Sequence, residues 1–306
     1  MSLRGNALFP YLLVLVAGAM WGVTFSLARI ATEAGFHPIG LGFWQALGGG
    51  AILALVSVLR GIWPSLHKQN LRRFVVIALL GTAIPGVLYF YAARHLPAGI
   101  LAITIALVPM MTYALSLIFG LDRRSTSRLV GVLLGFAAMV LLSRPEALPD
   151  RSMVPWLLVA LTAAVCYTME NIYVEMRVPS DTDMVCLLMG GMIAASILML
   201  PVVLATSSFV RISYPFNLAE ASVLIMMLVN SFSYLVFLYL IKSSGAVFAS
   251  MMGYVVTVAG IAWGIWLFRE QHSILIWIAL GLMLAGMALV RPREKLKEQS
   301  EPAPDR

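Results

Sequence analysis

The chain is predicted to be an all-α integral membrane protein, with ten transmembrane helices as two inverted five-helix repeats. Three observations lead there. Apolar stretches of membrane-spanning length follow one another along nearly all of the 306 residues. Charged residues make up only 11% of the chain, where a soluble domain carries about 25%; the mean hydropathy is +0.92. Third, residues of the first half recur in the second in the same order.

Crossing about 30 Å of hydrocarbon takes roughly 20 helical residues at about 1.5 Å each. Backbone polar groups cannot stay unpaired in lipid, so each stretch must be a helix. The first span is expected over Leu8–Ala31. Arg4 and the small residues Ala17-Gly18-Ala19 imitate a cleavable leader, but the apolar run continues past Ala19 and has a counterpart later in the chain, so it is read as a span. The second, Pro38–Leu59, carries Gly48-Gly49-Gly50, suited to close helix approach. The third, Phe74–Ala93, contains Pro85-Gly86, and the fourth, Ala98–Phe119, contains Pro109. Each proline interrupts backbone bonding and permits a kink, which makes Pro85, Gly86 and Pro109 candidate hinges. The turn at Leu96-Pro97 is so short that spans three and four should move as one hairpin. The fifth stretch, Leu129–Leu142, is short. Spans six to ten are expected over Val154–Tyr173, Val185–Ala205, Ser222–Ile241, Ala246–Phe268 and Ile274–Val290. Gly190-Gly191 marks the seventh, and Ser243-Ser244 joins the eighth and ninth as a second hairpin. Trp63, Trp156 and Trp277 stand near span ends as interface anchors.

Alternation of ten helices fixes every loop once the first is placed. With the N-terminus inside, 15 of the 21 Lys and Arg residues fall on the cytoplasmic side and 6 outside. The positive-inside rule therefore places both termini in the cytoplasm, with the protein multi-pass in the cell's inner (plasma) membrane. The net charge of +7 belongs to this topology rather than to nucleic-acid binding. The repeat appears when Pro10-Tyr-Leu-Leu-Val is set against Pro155-Trp-Leu-Leu-Val, at an offset of 145. Tyr91-Ala-Ala-Arg94 meets Tyr239-Leu-Ile-Lys242, and Asp122 meets Glu270, both at 148; Gly131 meets Gly281 at 150. The expected units are residues 1–148, residues 149–292 and a charged cytoplasmic tail, 293–306. Five is odd, so the second unit enters the membrane from the opposite face. Such inverted repeats accompany alternating-access transporters, whose site lies near mid-membrane between the halves.

Polar side chains inside spans locate the candidate site. Glu170 lies well inside span six, where an ionised carboxylate costs a few kcal/mol on insertion scales. It needs a polar cavity or a partner, and serves either as a contact for a substrate ammonium group or proton, or as a structural bond to a neighbouring helix. Asn171 is adjacent and Tyr167 sits about one turn earlier. Asn230 and Tyr234 in span eight, and Ser250, Tyr254 and Thr257 in span nine, repeat at helical spacing as polar stripes, which lipid does not tolerate. Interhelical bonding explains any one of them; together they favour a lined cavity. Trp21 and Phe25, one turn apart, can pack or stack on an apolar or aromatic group, and Gln45 is a candidate cavity donor. Glu33, Glu175 and Glu220 stand near span ends and are expected to be solvated.

No phosphate-binding GxxxxGK[ST] loop and no HExxH is present, and no His, Cys and carboxylate set has metal-ligand spacing. No cofactor or metal is expected, and no nucleophile stands with a base, so the chain is not read as an enzyme. Cys166 and Cys186 lie in apolar spans as small core residues. A membrane-embedded enzyme acting on lipid or isoprenoid substrates is the alternative, and it would need a catalytic constellation.

The residues also resemble a family. Trp21-Gly22 with Phe25, Pro38, the run Tyr91-Ala-Ala-Arg-His-Leu-Pro-Ala-Gly-Ile-Leu-Ala, Pro109, Asp122 and Gly131…Gly135 resemble the drug/metabolite transporter superfamily. Within it the chain is similar to the ten-helix EamA-type exporters, and most to the aromatic amino-acid exporter branch. The second half keeps Ser244-Gly245-Ala246, Glu270 and Gly281 more loosely. Gln45 stands where span two of such proteins usually carries an Arg, Asp122 replaces a Glu, and Thr257 occupies the place that would mirror Pro109. The resemblance implies export of amino acids, aromatic and other apolar ones preferred, or of related metabolites; the chain is expected to act as a monomer whose partners are its small substrate and the bilayer. Trp21, Phe25, Gln45, Tyr167, Glu170, Asn171, Asn230, Tyr234, Ser250 and Tyr254 are the candidate substrate contacts.

Overall fold

A computed structural model of the chain describes residues 8–122, 125–142, 151–269 and 274–289. Glu270, the arginines at 123, 124 and 144, and the tail 293–306 lie outside the described residues. Eight described helices are long and apolar enough to cross a membrane. They are α1 (Phe9–Glu33), α2 (Pro38–Leu59), α3 (Lys68–Ala93), α4 (Ala98–Ile118), α6 (Val154–Arg177), α7 (Met184–Ala205), α8 (Leu218–Ser244) and α9 (Ala246–Phe268). Two shorter apolar helices, α5 (Thr126–Leu142) and α10 (Ile274–Leu289), accompany them. Among the described residues the regular structure is thus all helical, as in a multi-pass membrane protein.

Helix starts follow local chemistry. Pro38 opens α2, where a missing N–H costs nothing, and the His37 ring accepts a bond from Ile39 N–H at 3.3 Å. Asp183 caps α7 by accepting from the N–H groups of Val185 (2.9 Å) and Cys186 (3.1 Å). Asn217 and Glu220 form a reciprocal capping box at the start of α8. Glu220, expected to be solvated, is therefore buried and bonded to Asn217 N–H at 2.9 Å. Gly245, at φ 93°, makes the tight turn between α8 and α9 in a region that favours glycine.

The two candidate hinge prolines sit beside the irregular turns of the fold. Proline cannot donate to the carbonyl four residues back, and its ring crowds that carbonyl. Pro85 follows a π-helical turn, Ala78–Ala83, in the middle of α3. Pro109 follows a 3₁₀ turn, Ile105–Leu107, in α4. The helix thus changes pitch just ahead of each ring. At the place that would mirror Pro109, Thr257 donates its hydroxyl to Gly253 O (2.8 Å) and across to Ala102 O (2.9 Å), tying α9 to α4.

Packing brings the first and second halves of the chain together throughout. α1 packs on α8 and α9, and α6 packs on α3 and α4; α2 lies against α7 and α8, and α5 against α10. Small residues set the close approaches. A Cβ on Gly22 would meet Ala259 and the backbone of α9, one on Gly49 would meet Met192 and Ser231, and one on Gly191 would meet Ile77. The hairpin end at Arg94-His95 is held by Arg94 donating to Phe36 O (2.9 Å) and by the His95 ring stacked on Trp156 at 3.7 Å. Burial and the nearby Arg94 charge hold both His37 and His95 below the ordinary histidine pKa.

Candidate functional site

One cavity opens among α1, α2, α3, α4, α6, α8 and α9, between the halves of the chain. Its space for the centres of water-sized molecules is about 100 Å³, against the roughly 10–15 Å³ that one water needs. The room suits a small organic molecule. Eight of the ten candidate contacts line it: Trp21, Phe25, Gln45, Tyr167, Glu170, Asn230, Tyr234 and Ser250. Gly86, of the candidate hinges, lines it too.

Glu170 stands at its centre of polarity. It is 1% exposed, and Tyr234 donates its hydroxyl to Oε1. Among the described residues no Lys, Arg or His pairs with this carboxylate or lines the cavity. A second polar link joins α1 to α8: Trp21 Nε1 donates to Asn230 Oδ1 at 2.7 Å. That bond satisfies the indole and leaves the Asn230 amide nitrogen as its remaining donor. The i, i+4 spacing of Asn230 and Tyr234 on the uninterrupted α8 puts both on one face, as expected.

Aromatic rings make the walls. Trp21 stacks on Tyr234 (6.0 Å between centroids) and meets Phe237 edge-on at 5.8 Å. Tyr89 stacks on Tyr167 at 6.0 Å and meets Phe25 edge-on at 5.9 Å. The two groups flank Glu170, since Tyr234 bonds to it and Tyr167 lies one turn before it on α6. Tyr89 and Phe237 were not singled out from the sequence, although Tyr89 lies three residues after Gly86 and so shares its helix face. Gly81 was missed as well. A Cβ there would collide with both the Tyr234 hydroxyl and the Glu170 carboxyl, so the bare glycine in the π turn of α3 makes room for the pair.

Two candidates lie elsewhere. Asn171 is fully buried and faces α4, where its Nδ2 donates to Thr112 Oγ1 at 3.2 Å. Adjacent helix positions point about 100° apart, so Asn171 follows α6 away from the cavity that Glu170 meets. Tyr254 is 1% exposed in an apolar cluster with Tyr113, Val132 and Val247, its hydroxyl against Gly135. The i, i+4 stripe from Ser250 to Tyr254 fails because α9 is interrupted at Met251.

The EamA-like transporter family model matches twice, over residues 8–144 and 154–291. The chain belongs to the EamA-like transporter family. It is 26% identical over 286 residues to the uncharacterized inner membrane transporter YedA of Escherichia coli, covering 89% of this chain and 87% of that one. It is 23% identical over 283 residues to the uncharacterized transporter YvbV of Bacillus subtilis, covering 91% and 90%. A crystal structure of 19% sequence identity superposes with a TM-score of 0.68 over 92% of this chain and 96% of its own, a likeness of fold. The protein is a membrane transporter of this family, which disfavours the reading as a lipid- or isoprenoid-modifying enzyme.

Proposed function

We propose that the protein exports small metabolites from the cytoplasm by alternating access, taking molecules that join an ammonium group to an aromatic or apolar body, amino acids of that kind among them. The observation that carries this reading is the cavity between the halves, with one buried carboxylate set among seven aromatic side chains. Glu170 meets the ammonium, Gln45 and Asn230 offer neutral donors, and the rings hold the body of the substrate.

In this proposal all ten helices cross the inner membrane, both termini are cytoplasmic, and residues 1–148 and 149–292 are inverted repeats. Two findings support it. The family model matches each half separately. The helix contacts also map onto themselves when α1–α5 are exchanged for α6–α10: α1 with α8 and α9 becomes α6 with α3 and α4, and α2 with α8 becomes α7 with α3. The hairpins α3–α4 and α8–α9 then close one side of the cavity and open the other. The test is counterflow of labelled phenylalanine and tryptophan in liposomes carrying the purified protein. Accumulation against an unlabelled internal pool is expected. A channel would equilibrate without counterflow, and an enzyme would release altered product.

A further inference from the structure

We propose that the cavity favours organic cations, aromatic or apolar amines and quaternary ammonium compounds that carry no carboxylate, over zwitterionic amino acids. The proposal rests on the carrier reading and narrows its substrate class.

The first argument is charge. The cavity presents one carboxylate, Glu170, and among the described residues no basic side chain. A cation bound beside Glu170 completes a neutral pair. A zwitterionic amino acid satisfies Glu170 with its ammonium but adds a second carboxylate to a low-dielectric space with no counter-charge, beside an acid of like sign. A buried charge needs a partner. Gln45 supplies only a neutral amide.

The second argument is the direction of the hydrogen bonds. A substrate carboxylate needs donors, and most of those in the wall are already turned onto the protein itself. Trp21 Nε1 gives to Asn230, the Tyr234 hydroxyl to Glu170, Ser250 Oγ to Val247 O at 2.8 Å, and Thr24 Oγ1 to Trp21 O at 2.6 Å.

The third argument is the walls. Ring faces carry negative potential and attract cations, most strongly where water is excluded, and aromatic cages are a general solution for quaternary ammonium groups. Trp21, Tyr234 and Phe237 form one such wall, and Phe25, Tyr89 and Tyr167 the other. Both adjoin the carboxylate.

The test uses three probes with the same phenylethyl body, each labelled and offered to liposomes bearing the full chain: phenylethyl-trimethylammonium, phenylalanine and 3-phenylpropionate. The quaternary cation does not leak across lipid as a neutral amine does. Uptake of the cation at least tenfold faster than that of phenylalanine at equal low concentration, with the anion slowest, is the expected result. Glu170→Gln should erase the preference for the cation. Phenylalanine moving as fast as the cation or faster overturns the proposal and leaves the carrier reading standing; so does an anion that moves fastest. If none of the three moves while the protein is folded and reconstituted, both readings fall. The comparison is made on the wild-type chain, so it does not depend on the variant folding.

Discussion

Glu170 is costly to keep in a membrane helix, and the described residues surround it with a tyrosine hydroxyl and aromatic faces, with no cation among them. Glu170→Gln keeps the shape and removes the charge. Transport is expected to fall tenfold or more, equivalent to about 1.4 kcal/mol in transition-state terms, at normal protein yield. Flux near the wild-type value at that yield would assign Glu170 to structure alone. Gly81 gives a companion prediction. Gly81→Ala places a methyl group against the Tyr234–Glu170 pair and should cost transport even though alanine is the better helix former. Unchanged flux would show that the pair can shift. The cost argument made Glu170 legible in the sequence, and so did the spacing of Asn230 and Tyr234. Asn171 and Tyr254 were misplaced because sequence spacing is a guide to facing only while the helix is continuous and the residue's own angular position is respected. Gly81 gave no such signal, because a glycine that clears space for atoms on two other helices is defined by tertiary packing.

At the scale of elements, the sequence located the interruptions but not their form. Pro85 and Pro109 were legible as kink sites; that one follows a π turn and the other a 3₁₀ turn depends on how each helix resolves the crowding ahead of the ring. Both irregular turns adjoin the cavity, at Gly86 on α3 and at Ile105 and Val108 on α4. Replacing both prolines with Ala should leave expression intact, hold or raise the melting temperature, and slow transport several-fold, because a proline in a helix interior costs roughly 3 kcal/mol of regularity. Equal turnover of the double variant and wild type in liposomes would remove the hinge role. The capping box at Asn217 and Glu220 shows the opposite limit. Its Asn-x-x-Glu pattern stands in the sequence, yet an acid near a span end was read as solvated, since composition alone does not separate a capped helix start from an exposed loop.

For the whole molecule, the proposed repeat shows only faintly in the sequence, and the proposed orientation rests on charge alone. Few residues repeat between halves, because lipid-facing positions accept any apolar side chain; the exchange of helix contacts keeps the relation clearer than identity does. The structure fixes which loops share an end. Near the start of α2, Trp44 Nε1 donates to Val210 O at 2.7 Å, in the segment joining α7 and α8. At the other end of α2, Arg60 pairs with Asp183, which caps α7, at 3.0 Å. Tyr214, 87% exposed in the first of these regions, and Pro64, just beyond Arg60, therefore belong to opposite faces of the membrane. In the proposed orientation, which rests on the excess of basic residues, Pro64 is cytoplasmic. In a chain with Cys166 and Cys186 replaced by Ser, Tyr214→Cys should react with an impermeant thiol reagent applied to intact cells, and Pro64→Cys only after the cells are opened. The reversed pattern would invert the orientation and turn the proposed export into import. Labelling of both from outside would break the assignment of α2 and α7 as spans, and with it the pairing of the two halves about a cavity within the membrane.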